Sequence, residues 1–119
     1  MPEPSITVVL DCADGDAIAP FWSAVLGYDA GRRFGQFVVL RPREAVDTRP
    51  HLILQEVPEP KIVKNRSHMD LHVADVEEAR QRFLGLGASM VDENKRCLGD
   101  HCWYVMADPE GNEFCVAPD

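Results

Sequence analysis

The stretch His68–Met90, HMDLHVADVEEARQRFLGLGASM, decides the fold. Its first six residues alternate, with Met69, Leu71 and Val73 apolar and His68, Asp70 and His72 polar, the signature of a strand with one face of each kind. Asp75 then suits a helix N-cap, Glu78 three residues on suits a capping box, and Glu77 sits favourably near the positive helix end. Val76, Ala79, Phe83 and Leu86 recur at helical spacing, and Gly87 is placed to end the helix in a left-handed conformation.

Working outward, Ile6–Tyr28, ITVVLDCADGDAIAPFWSAVLGY, repeats the pattern about half a chain earlier, with Asp14 standing where Asp75 stands. Ile6, Val8 and Leu10 alternate with Thr7, Val9 and Asp11, and Ile18, Phe21, Trp22 and Val25 form the apolar helical stripe before Gly27. Pro20 is tolerable only near a helix start, which places that start near Asp16. Strands are expected over 30–33, 36–41 and 51–57, and again over 88–92, 102–107 and 112–116, with Asp108-Pro109-Glu110-Gly111 as a turn. The reading is α+β: two βαβββ modules, about 5–57 and 67–119, joined by a linker over 58–66 into a single domain spanning 1–119.

Composition narrows the function classes. Asp and Glu number 20 against 12 Lys and Arg, a formal charge of −8, which disfavours a phosphate backbone and so nucleic acid as partner. No stretch approaches the roughly 20 apolar residues of a membrane span, and the first residues lack a basic region followed by an apolar core, so no membrane is expected and a cytoplasmic location is. Cys12, Cys97, Cys102 and Cys115 are accordingly expected to be reduced thiols, and their spacing does not suit a zinc ribbon.

The duplicated βαβββ pattern, H-x-D-L-x-V-x-D from His68 to Asp75, Phe21-Trp22 through Leu26-Gly27-Tyr28, LILQEV at Leu52–Val57 and ADPEGNEF before the last strand resemble the vicinal oxygen chelate superfamily, in its small glyoxalase-like branch. That superfamily includes glyoxalase I, extradiol dioxygenases and bleomycin-resistance proteins. The resemblance covers nearly the whole chain. It implies a U-shaped, half-barrel mixed sheet whose concave face binds a small oxygen-bearing organic molecule, often beside a divalent metal such as Zn, Ni, Mn or Fe, and it implies a homodimer.

Metal-dependent members take ligands from the first and last strand of each module. The matching positions here are Thr7, a poor ligand; Gln55, or Glu56 one residue on; His68, a good match; and Cys115, where the metal isomerases carry glutamate. Glu113 shares a strand face with Cys115 and offers the missing carboxylate, as ligand or as general base, so His68, Glu113 and Gln55 form an acceptable set. Against it stands a plain charged residue at the strand mouth. Asp70 would orient an imidazole, and His72, Thr7 and Cys115 would line the ligand site. Trp103 would line either the cavity or a dimer surface, while His51 and His101 are expected at the surface. Asp11, Asp70 and Glu113 suggest an acidic cavity. The resemblance implies either a metal-dependent lyase or isomerase acting through an enediolate, with Glu113 moving the proton, or a metal-free binding or sequestration protein of the bleomycin-resistance type. A vestigial cavity in a structural domain is the third reading.

Overall fold

In the computed structural model, which describes residues 3–119, the chain divides by its internal contacts into two units, with the division between Pro60 and Lys61. In the first unit, alternation at Val8–Cys12 (β1) turns Val8, Leu10 and Cys12 inward and leaves Val9 and Asp11 exposed. Helix α1, Gly15–Leu26, follows, capped by Asp14, whose carboxylate accepts from Ala17 N–H, and closed by Gly27 at φ 68°. The helix thus starts one residue earlier than Pro20 suggested. Pro20 stands in its second turn and has no N–H to donate to the Asp16 carbonyl one turn back.

Strands β2 (Arg32–Phe34), β3 (Phe37–Leu40) and β4 (Leu52–Glu56) complete an open mixed sheet in the order β1-β4-β3-β2, with β1 parallel to β4 and the other pairs antiparallel. Helix α1 packs on β3 and β4. Ile18, Phe21 and Trp22 are buried from the helix, and Val38, Leu40, Leu52 and Leu54 from the sheet. The 42–50 segment is held from inside by Tyr28, whose hydroxyl donates to Pro50 O at 2.7 Å and whose ring lies under the Arg49 guanidinium.

The second unit repeats the order strand, helix, strands, with one strand more than the first. Strand β5 (Met69–Val73) leads to α2 (Val76–Leu86), with Asp75 accepting from Glu78 N–H at 3.0 Å and Gly87 at φ 118° ending it. Strands β6 (Ser89–Met90), β7 (Arg96–Leu98), β8 (His101–Ala107) and β9 (Glu113–Pro118) follow. The sheet runs β5-β9-β8-β6, with β5 parallel to β9, and β7 pairs only with β8. Phe83 of α2 meets Phe114 edge-on at 6.1 Å, placing the helix against β9. The Asp108–Gly111 turn forms as expected: Gly111 N–H donates to Asp108 O, and the Asp108 carboxylate accepts from Glu110 and Asn112 N–H groups.

Several expectations need correction. The strands are shorter or shifted by one to three residues relative to the sequence pattern, and Thr7 falls just outside β1. Strand β7 is an element the sequence reading lacked. It forms because Gly99-Asp100, with Gly99 at φ 61° and no positive φ at Asp100, makes a two-residue hairpin turn of type II′. That hairpin sets Cys97 directly opposite Cys102, with Cα atoms 4.1 Å apart, and the two are joined as a disulfide. The expectation of four reduced thiols therefore fails for this pair; Cys12 and Cys115 are buried and not disulfide-bonded.

Candidate functional site

The second unit's sheet has two unlike faces. Tyr104, Phe114 and Val116 alternate toward α2, with Tyr104 Oη donating to Glu77 on that helix at 2.9 Å. The other face carries the opposite residues of the same strands and forms a concave site of about 410 Å³.

The floor of the site is set by strand register. Asp70 of β5 lies beside Cys115 of β9 because the two strands run parallel with those residues paired. His68, just before β5, turns its Nε2 to within 3.3 Å of Asp70 Oδ1. One ligand atom each from His68, Asp70 and Cys115 lies within 4.8 Å of the others. Cys115 is buried while the other two are exposed, so the group opens toward the cavity. Burial pushes the Cys115 thiol up to about 11, and the Asp70 carboxylate, to which it hydrogen-bonds, adds to the shift. Without an ion the thiol is protonated at neutral pH and is no free nucleophile. A nitrogen, an oxygen and a sulfur donor converging with room for further ligands suit a borderline ion of the zinc type.

One wall of the site is the β7–β8 hairpin. Arg96, Leu98, His101 and Trp103 line it, whereas Cys97 and Cys102 project from the opposite side. His101 and Trp103 lie ring to ring at 5.6 Å with a 36° tilt, forming an aromatic shelf. Arg96 pairs with Trp103 across the strands, and its Nε reaches Asp92 at 3.5 Å.

The opposite wall comes from the linker. Lys64 Nζ donates to Glu113 Oε1 at 2.6 Å, Asn65 N–H approaches Oε2 at 3.4 Å, and Glu113 N–H donates to Asn65 Oδ1. The Lys64 bond holds the Glu113 carboxyl below its ordinary value of 4.5, against the opposing effect of its burial. Glu113 does share the cavity face with Cys115, but its carboxylate is engaged by Lys64 and it stands outside the His68–Asp70–Cys115 group.

The remaining expected site residues have surroundings of their own. His72 is exposed at the far part of β5, its Nδ1 3.1 Å from Pro118 O. Gln55 and Thr7 belong to the first unit, where Gln55 is half-buried on β4 between Asp11 and Phe37, and Thr7 is exposed. Glu56 accepts from Arg33 and from Gly15 N–H. The expected acidity of the cavity also changes, since Lys64 and Arg96 line it together with Asp70 and Glu113. Sequence reasoning missed Lys64, Arg96 and Leu98; His101, expected at the surface, is exposed and also lines the site. The Gly-Asp pair between residues 98 and 101 was the signal that would have found the hairpin.

Residues 7–117 match the model of a family described as a glyoxalase-like domain. The chain belongs to that family. Solved structures agree on the fold of this glyoxalase-like chain. FosX, a fosfomycin resistance protein from Mesorhizobium loti, superposes with a TM-score of 0.72 at 12% identity, covering 100% of this chain and 94% of that one. A glyoxalase/bleomycin resistance protein from Albidiferax ferrireducens T118 gives 0.70 at 16% identity over 95% and 96%. A glyoxalase/bleomycin resistance protein/dioxygenase family enzyme from Burkholderia phytofirmans PsJN gives 0.70 at 16% over 94% and 95%. No curated protein sequence matches. The glyoxalase-like chain is therefore a member of the vicinal oxygen chelate superfamily, with two open mixed sheets and two helices. Among its described residues no helix is long and apolar enough to cross a membrane.

Proposed function

We propose that this glyoxalase-like protein binds a small oxygen-bearing organic molecule on the cavity face of its second unit, beside a divalent ion held by His68, Asp70 and Cys115. The observation that carries the reading is the convergence of those three donors within 4.8 Å at the floor of a 410 Å³ site. When bound, the ion would act as a Lewis acid that polarises adjacent oxygens of the ligand. The chain's own groups supply the rest. The Trp103–His101 shelf offers apolar area to the ligand body, and Arg96 and Lys64 offer positive charge to its oxygens. The exposed His68 imidazole is placed to take up or release a proton at Nε2 when it is not a ligand. Glu113 suits a positioning role, because its salt bridge to Lys64 fixes the linker against β9. The reaction class that fits is a lyase or isomerase, and a cytoplasmic homodimer is the proposed setting.

A second reading is favoured by one observation. The Cys115 thiol, Asp70 carboxylate and His68 imidazole also partner one another without an ion, which suits metal-free binding or sequestration. Elemental analysis of protein purified without chelator and reconstituted with Zn²⁺, Ni²⁺, Mn²⁺ or Fe²⁺ separates the two. Metal-assisted function gives about one ion per chain and loss of that ion in His68→Ala. A stoichiometry near zero, with small molecules still raising the melting temperature, would establish the metal-free reading instead.

A further inference from the structure

We infer that Cys97–Cys102 is a thiol–disulfide exchange site whose redox state determines whether the β7–β8 wall of the cavity is formed. The inference rests on the reading of that cavity as a ligand site only for its consequence, and on the hairpin's own structure for its mechanism.

Strand β7 is the most weakly held strand bordering the cavity. It has three residues, all exposed, and β8 is its one strand partner. A strand with that little pairing and no buried side chain does not hold its place by packing. The disulfide joins its central residue to the residue opposite, so beyond the Gly99-Asp100 turn the covalent tie between this strand and the sheet falls at its midpoint. The residues on either side of that tie, Arg96 and Leu98 on β7 and His101 and Trp103 on β8, are the ones that face the cavity. Alternation puts the sulfur atoms on the opposite side, where Cys97 is exposed and Cys102 half-buried, so a thiol can reach the bridge without entering the ligand site. The other two cysteines are buried and outside the pair.

The chemistry needs one co-reactant, a small thiol of the glutathione class or a dithiol protein. Its thiolate attacks one protein sulfur, the S–S bond breaks, and a mixed disulfide forms. A second thiol equivalent displaces it, leaving two protein thiols, with two electrons and two protons gained, and the oxidised reductant. In the reducing compartment expected from the sequence the bridge is open and β7 is released. Under oxidation it closes and seats Arg96 and Leu98 in the wall. Ligand affinity then follows the redox state, with the His68–Asp70–Cys115 floor unchanged.

Alkylation with N-ethylmaleimide and hydrogen exchange read by mass spectrometry test this on the full chain. With four cysteines, two of them buried and outside the disulfide, air-oxidised native protein should take up no label, and native protein treated with dithiothreitol should take up two, at Cys97 and Cys102. On reduction, exchange in the 95–104 peptide should rise by about tenfold or more while the 113–118 peptide stays as it was. Cys97→Ser/Cys102→Ser should show the fast exchange permanently and ignore dithiothreitol. Four free thiols in air-oxidised unfolded protein, or hairpin exchange indifferent to reduction, overturns the inference. Both readouts are taken without ligand or metal, so they decide the switch independently of whether the cavity reading stands.

Discussion

Glu56 shows how one side chain can be both a cap and a pH sensor. Its carboxylate accepts Gly15 N–H at the start of α1 and two Arg33 N–H bonds at 2.9 Å. The Arg33 bonds first, and the Gly15 bond second, hold it at about 2 in the folded chain against an ordinary 4.5. Between those values the unfolded chain binds the extra proton, so the stability this group confers is present above about pH 4.5 and is lost as pH falls through about 2. Urea melts taken across that range should show a shallower acid decline for Arg33→Ala than for the parent; identical acid limbs would count against the pairing. At the same scale, the family resemblance pointed to Cys115 as a last-strand cavity position, and strand alternation carried that reading to Glu113 two residues away. The partnership of Cys115 with Asp70 was not legible, because alternation along one strand does not show what lies beside it. That requires the β5–β9 register, which is a property of two strands 45 positions apart.

At the scale of elements, the two helices were the most readable parts of the sequence. Asp14 and Asp75 cap them and Gly27 and Gly87 end them, as the repeated Asp and Leu-Gly positions imply. These signals are local: a carboxylate three residues from an orphan N–H, a residue without Cβ where φ is positive. Asp75→Ala should therefore destabilise the fold by about 1 kcal/mol in urea denaturation, with Asp75→Asn largely retaining the cap. Equal losses in both variants would mean that the residue acts through something other than capping. The β7–β8 hairpin was less readable for the converse reason. Arg96-Cys97-Leu98 has no buried face, so apolar periodicity passes over it, and the Gly99-Asp100 turn is its one mark in the sequence. The same omission hid the disulfide, which is a consequence of the hairpin register, and with it Arg96 and His101 as cavity residues.

At the scale of the molecule, the duplicated βαβββ order reached the right fold from about two dozen residues per copy, because each copy repeats the same layering of one helix on one sheet face. What distinguishes the copies is the chemistry of the other sheet face. In the first unit Val9 and Phe37 are exposed there, along with Asp11 and the half-buried Gln55. In the second, His68, Asp70 and Cys115 gather at one point with aromatic and charged walls around them. The family resemblance put His68, Glu113 and Gln55 in one ligand set; within the second unit, His68 and Glu113 line this cavity together with Cys115. Asp70 offers a further donor beside His68 and Cys115, while Lys64 engages Glu113.

The His68–Asp70–Cys115 trio, thiolate included, should hold one divalent ion. Cobalt substitution tests it most directly, because a cysteine thiolate bound to Co²⁺ gives a charge-transfer band in the near ultraviolet that oxygen and nitrogen ligands do not. Titrating the oxidised protein with Co²⁺ should raise that band to saturation at about one ion per chain, as a single site requires. Cys115→Ser should abolish the band, Asp70→Asn should weaken binding, and Glu113→Gln and Gln55→Ala should leave both intact. No band in the parent protein, or a band that survives Cys115→Ser, would contradict the claim.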